Sequence, residues 1–101
     1  MQVLKIPAGA LVTKVSVVML TPEDSTSTAT VGDAVDPNGW DASIDLEGAA
    51  NTVYTSAEAD AFGLAGKYYA TADTIDLTMS AHATDTAIFN VTAEYSVLER
   101  I

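Results

Sequence analysis

The chain has no cysteine and only one histidine among its 101 residues. Disulfide bonds and thiolate chemistry are therefore excluded, and the fold must be held together by its core or by a partner chain. A zinc site without cysteine and with one histidine would need carboxylates almost alone, which is uncommon. The histidine, His82, lies between two alanines in a predicted turn, and we interpret it as neither catalytic nor metal-binding.

Basic residues are scarce: four Lys and Arg stand against fourteen Asp and Glu, for a formal net charge of -10. A surface of that sign repels phosphate backbones and anionic lipid headgroups, so we expect neither nucleic acid nor a membrane as a partner. No apolar run approaches the roughly 20 residues of a membrane helix, and the start of the chain lacks the charge and apolar pattern of a secretory signal. We expect a soluble product made in the cytoplasm.

Catalytic signatures are also missing. No serine lies in a nucleophile elbow. With fourteen acidic residues some pair of carboxylates is always present, so such a pair is no evidence for a glycosidase site. We therefore predict a protein that is not an enzyme and needs no cofactor. One acidic group is compatible with Ca²⁺ because it offers oxygen ligands. Its members do not follow the EF-hand spacing, and part of the segment is explained as a turn, so calcium binding stays open: Asp33, Asp36, Asn38 and Asp41.

Two long segments, residues 10–20 and 87–98, alternate between two sets of side chains with a period of two, as half-buried strands do. In the second segment we predict that the buried face carries Ala87, Phe89, Val91, Ala93, Tyr95 and Val97. Shorter extended segments are predicted at residues 2–6, 26–31, 40–47, 51–55, 67–70 and 74–80, with turn residues between them. The pattern predicts one all-β domain over residues 1–101, a jelly-roll-like β-sandwich of about eight strands, with an immunoglobulin-like sandwich as the alternative.

The opposite faces of the two long strands are less polar than a solvated face requires. If the strands are neighbours, their outward apolar side chains form one patch, which favours burial against another chain or, equally, coverage by the protein's own loops. The candidate subunit-contact residues are Val12, Val18, Leu20, Ile88 and Leu98.

Several short segments together resemble small virion proteins of tailed bacteriophages, and most of all the decoration or cement proteins of phage heads. They are Ile-Pro-Ala-Gly-Ala at 6–10, Val-Thr-Lys-Val at 12–15, Val-Gly-Asp at 31–33, Ala-Ser-Ile-Asp-Leu at 42–46, Thr-Ile-Asp-Leu-Thr at 74–78 and Val-Thr-Ala-Glu-Tyr at 91–95. The resemblance implies a trimeric β-sandwich on the exterior of the capsid, bound between subunits of the major capsid protein and reinforcing the shell. Similar small domains occur in phage tails and fibres, which is the alternative location.

Aromatic residues suggest a rival function. Four of them would make a stacking platform for a sugar on a glycan-binding β-sandwich: Trp40, Tyr54, Tyr68 and Tyr69. Against this, Trp40 and Tyr95 are each in phase with aliphatic neighbours, which indicates core positions. Tyr68 and Tyr69 are consecutive and would point to opposite faces of a strand, so at most one of them belongs to such a platform.

Overall fold

The computed structural model describes residues 2–24, 27–56, 60–63, 65–79 and 87–97. These residues form eight strands and no helix, so the predicted all-β sandwich is confirmed. None of them lies in a helix long and apolar enough to cross a membrane. The strands begin and end close to the predicted bounds: β1 (Gln2–Ile6), β2 (Ala10–Thr21), β3 (Thr28–Gly32), β4 (Asp41–Asp45), β5 (Val53–Thr55), β6 (Lys67–Tyr69), β7 (Asp73–Met79) and β8 (Ile88–Val97).

The strands pair antiparallel in two sheets. The first sheet has the order β1-β7-β3-β4. The second is built on β2, which pairs with β8 along nearly its whole length. The opposite edge of β2 is therefore shared, with β5 beside residues 16–18 and β6 beside residues 10–12. The result is an elongated body of 50 × 20 × 20 Å, in which β1 and β8 are edge strands of their sheets among the described residues.

The core lies between the sheets and follows from the alternation of side chains along each strand. Its largest members include Trp40 just before β4, Met19 of β2 and the β7 pair Ile75 and Leu77, all fully buried. On β4 only Ile44 is buried, while Ala42, Ser43 and Asp45 are exposed, because the pairing with β3 shifts register beside Ala42 and Ser43 and interrupts the alternation. Burial of these aliphatic side chains supplies the main driving force for folding, about 1.5–3 kcal/mol for each large one.

Val12 was expected on the outer face of β2 and is instead completely buried in the core. The reason is a β-bulge at Thr13: Val12 pairs with Tyr95 and Lys14 with Glu94, so Thr13 is an extra residue in β2. The extra residue reverses the alternation, and the buried positions of β2 are Ala10 and Val12 before the bulge but Val15, Val17 and Met19 after it. The Thr13 hydroxyl donates to the Glu94 carbonyl at 3.2 Å and so replaces part of the disrupted ladder.

The predicted inner face of β8 is present but incompletely covered. Ala87, Phe89, Val91 and Ala93 are partly buried and pack against the core. Tyr95 and Val97 were also expected to be buried, but 47% and 61% of their surfaces are exposed. Because the cross-strand partner of Tyr95 is the buried Val12, the ring does point to the inner side of the sheet. At this end of β8 the inner side chains therefore stay open to solvent.

The bulge predicts that the same substitution lowers the free energy of unfolding strongly at one position of β2 and hardly at all at another. Val12→Thr places a hydroxyl in the core, where an unpaired polar group costs about 1–3 kcal/mol. Val18→Thr places it on the partly exposed outer face, where changes stay within about 0.5 kcal/mol. Urea unfolding followed by the fluorescence of Trp40 measures both; equal losses of stability at the two positions would contradict the phase change at Thr13.

Candidate functional site

An apolar patch lies at one end of the outer face of the second sheet. Val18 pairs directly with Val53 of β5 on one side and with Asn90 of β8 on the other. Leu20 and Ile88 follow at the same end, where Ile88 pairs with Thr21. The exposed fractions are 40% for Leu20, 57% for Val53 and 56% for Ile88. We call these four residues, Val18, Leu20, Val53 and Ile88, the outer patch.

The outer patch unites three of the five candidate contact residues found from sequence. Of the other two, Val12 is in the core and Leu98 lies outside the described residues. Val53 was missed as a contact candidate because it sits in a three-residue strand, too short for its pattern to assign a face. Only the pairing of β5 with β2 places it beside Val18.

The middle of this outer face is polar. Lys14 and Glu94 are cross-strand partners 3.6 Å apart, and both side chains are about half exposed or more. The Ser16 and Thr55 hydroxyls lie 3.2 Å apart. An exposed ion pair of this kind adds little stability, so the polar stretch serves solvation rather than folding. The outer patch itself contains no charged side chain, in a chain with a net charge of -10.

A second cluster is a buried polar network centred on Asp33, which follows β3 directly. Its Oδ2 accepts hydrogen bonds from the Lys67 ammonium at 2.6 Å and from the Tyr69 hydroxyl at 2.8 Å. Its Oδ1 accepts from the backbone N–H groups of Val35 at 3.0 Å and Asp36 at 2.9 Å. Burial acts to raise the pKa of the Asp33 carboxyl, but the hydrogen bonds from Lys67, Asp36, Tyr69 and Val35 outweigh it and hold the pKa below 3.8.

Aromatic rings enclose the cation of this network. The Lys67 ammonium lies 4.6 Å from the centre of the Phe62 ring and 4.9 Å from that of Tyr69, both favourable cation–π distances. Trp40 packs edge-on against Phe62 with ring centres 5.3 Å apart, and its Nε1 donates to the Tyr69 hydroxyl at 3.1 Å. Burial and the neighbouring Asp33 carboxylate raise the pKa of Tyr69 although the hydrogen bond from Trp40 opposes them.

The geometry does not support the calcium hypothesis. Asp33 is already satisfied by four donors, one of them a cation. Asp36 and Asp41 each turn an Oδ1 to a nearby backbone N–H, of Asn38 and Ser43 respectively, rather than toward Asp33. Over the residues with a described structure, no group of three or more His, Cys, Asp or Glu is arranged to hold a metal ion. His82 lies outside those residues.

The proposed aromatic platform does not form. Trp40 and Tyr69 are buried, Tyr54 donates its hydroxyl to the Asp45 carbonyl at 2.9 Å, and Tyr68 is exposed alone on the outer side of β6. Trp40 is thus a core residue, as its phase predicted, while Tyr95 is not. Comparison with protein-family models, curated protein sequences and solved structures gave no match to this chain.

The Asp33–Lys67 pair predicts a specific loss of stability in acid. Because the carboxyl has a lower pKa in the folded than in the unfolded chain, its contribution is complete above about pH 4 and is lost as the pH falls through the folded pKa. Asp33→Asn should lower the free energy of unfolding at pH 7 by about 3 kcal/mol, since it leaves Lys67 unpaired. Urea unfolding at a series of pH values should show this difference shrinking below about pH 4.

The matched control is Asp36→Asn, which removes the same charge from the same loop. Its amide oxygen can still accept from the Asn38 N–H, so the change in the free energy of unfolding should stay within about 0.5 kcal/mol. A difference between wild type and Asp33→Asn that is constant from neutral to acid pH would contradict the role assigned to the carboxylate.

The raised pKa of Tyr69 predicts a loss of stability at alkaline pH. Its pKa is raised by folding, so the stability that depends on its neutral hydroxyl is present below about pH 10 and lost as the pH rises further. Tyr69→Phe should cost about 1–3 kcal/mol at pH 7, because Asp33 and Trp40 lose a buried partner, and the cost should fall above pH 10. Tyr68→Phe, on the exposed neighbour, should change the free energy of unfolding by no more than about 0.5 kcal/mol in the same measurement.

Proposed function

We propose that this chain is a non-enzymatic structural protein of a bacteriophage virion that binds the outer surface of the capsid as an oligomer, a trimer, and stabilises the shell by bridging capsid subunits. The sequence resemblance to phage head decoration proteins supports the proposal. The observation that carries it is the outer patch, four apolar side chains gathered on a solvent-facing sheet.

The outer patch has the properties of a self-association surface. It is apolar where three strands meet. The Lys14–Glu94 pair lies elsewhere on this face, outside the patch, so copies that meet at the patch bury no charged side chain. This matters because two chains of net charge -10 repel each other over the rest of their surfaces. Around a three-fold axis the same patch from each copy would meet its symmetry mates.

Shell stabilisation needs no chemistry beyond binding. A protein that binds the assembled shell but not free capsid subunits shifts the assembly equilibrium by mass action, in proportion to the logarithm of its concentration over its Kd. An oligomer that contacts several capsid subunits at once gains further from the high effective concentration of its linked binding sites. The acidic remainder of the surface would keep closely spaced copies soluble.

Ile88→Asp and Val53→Asp test the association surface. Each places a carboxylate in the outer patch, and an unpaired charge buried at an interface costs roughly 3 kcal/mol or more. The Kd of association should therefore rise at least about a hundredfold. Sedimentation velocity should show a wild-type trimer and monomeric variants. Added salt should tighten the wild-type association, because it screens the repulsion between acidic chains.

The control is Val35→Asp, which adds the same charge at a side chain that is 82% exposed in the loop after β3, outside the outer patch. This variant should remain trimeric. The capsid function is tested by adding wild-type protein to heads assembled without it and measuring saturation, with imaging of the occupied positions. A folded trimer that does not bind heads, or that binds only tails, would refute the head-decoration proposal.

A further inference from the structure

A groove lies at the edge of the molecule where β1 comes near β8. It is lined by β1, by the start of β7 and by Tyr95 of β8, and its volume is about 710 Å³. Ile6, Pro7 and Ala72 give it an apolar wall. Sites for small ligands have volumes of about 300–1,000 Å³ and combine apolar walls with a few polar groups, so the groove has the dimensions of a binding site.

Tyr95 gives the groove an exposed aromatic surface. The ring points to the inner side of its sheet, as its partner Val12 does, but 47% of the residue is accessible because it faces the groove and not the core. The hydroxyl has no hydrogen-bond partner within the described part of the chain. Tyr54 and Tyr69, in contrast, both use their hydroxyls in contacts inside the protein.

Polar side chains of both hydrogen-bonding types line the same groove. The Gln2 amide and the Lys5 ammonium have no hydrogen-bond partner among the residues described. Asp73 receives the Thr74 N–H on Oδ1 at 2.7 Å, which leaves Oδ2 to accept from elsewhere. Thr74 donates its hydroxyl proton to Asp76 at 2.6 Å, so its oxygen can only accept from a ligand. The groove thus offers donors at Gln2 and Lys5 and acceptors at Asp73 and Thr74.

We propose that the groove binds an uncharged saccharide, with the apolar C–H face of one sugar ring against Tyr95 and its hydroxyls bonded to Lys5 and Asp73. A sugar ring has an apolar face and an edge of hydroxyls that each donate and accept. It therefore matches a site with one accessible aromatic ring and separate donors and acceptors.

Other ligand classes fit the groove less well. An anionic ligand would enter a site that contains the Asp73 carboxylate, on a chain of net charge -10. An apolar ligand would cover Gln2, Lys5 and Asp73 without giving them partners, and each unpaired polar group would cost free energy. A metal ion would find one carboxylate in the lining and no larger set of ligands in the described structure.

The test is an NMR titration of the full chain, labelled with ¹⁵N, against maltotriose, cellotriose, mannotriose and triacetylchitotriose, all of which are uncharged. At least one should give saturable shifts of the Lys5, Asp73 and Tyr95 amides, with a Kd in the millimolar range. An acidic comparator, sialyllactose, should not. Tyr95→Ala should weaken the binding roughly three- to tenfold, the usual worth of an aromatic contact, and Tyr95→Phe should retain most of it.

Tyr68→Ala is the matched control, since Tyr68 is 52% exposed but lies outside the groove lining, on the outer side of the same sheet. It should bind as the wild type does. Lys5→Ala, at an exposed position, supplies a second variant should Tyr95→Ala fail to fold. The proposal is overturned if no trisaccharide gives saturable shifts at roughly 20 mM, if the shifts map elsewhere, or if folded groove variants bind normally. Ile88→Asp should leave binding intact, so failure here is separable from failure of the capsid proposal.

Discussion

The salt bridge between Asp33 and Lys67 joins the two halves of this fold. Asp33 follows β3 of the first sheet and Lys67 opens β6 of the second, so their 2.6 Å contact spans the sandwich in a chain without disulfides. The carboxylate also accepts hydrogen bonds from two backbone N–H groups of the loop that connects β3 to Trp40. Glycine is required beside it, because a Cβ at Gly32 would overlap the backbone of Asp36 and Pro37.

The same contact explains why a lysine points inward at all. Lys67 and Tyr69 alternate with the exposed Tyr68, so both project between the sheets. Gly66 lets this strand approach β2 closely, because a Cβ there would overlap the Val12 carbonyl oxygen. Its φ of 76° also lies in the left-handed region that favours glycine. An isolated ammonium there would be costly, and its carboxylate and aromatic neighbours remove most of that cost. Because Lys67 is in phase with Tyr69, the sequence shows that the lysine is on the inner face of its strand. It does not reveal which acidic residue pairs with it.

Patterning with a period of two predicted the eight strands because the alternation of side chains along a strand is a local property. It failed where geometry depends on a partner strand. The bulge at Thr13 sends Val12 into the core, and nothing in the alternation of β2 marks that residue as extra. Likewise, the acids around Asp33 resembled a cation site because their short spacing was visible, whereas the partner Lys67 lies 34 residues away. Tyr95 is in phase with core residues, yet it borders the groove beside β1 and is 47% exposed.

The outer patch and the groove occupy opposite ends of the β2–β8 ribbon. Ile88 marks one end and Tyr95 lies toward the other, which at the rise of an extended chain is a separation of roughly 23 Å. Ile88 faces outward while Tyr95 faces inward, so the two surfaces also differ in direction. Association through the outer patch would therefore leave each groove open. In a trimer, three weak saccharide sites held at fixed spacing would act together on a repetitive glycan surface, because each bound site raises the effective concentration of ligand at the others.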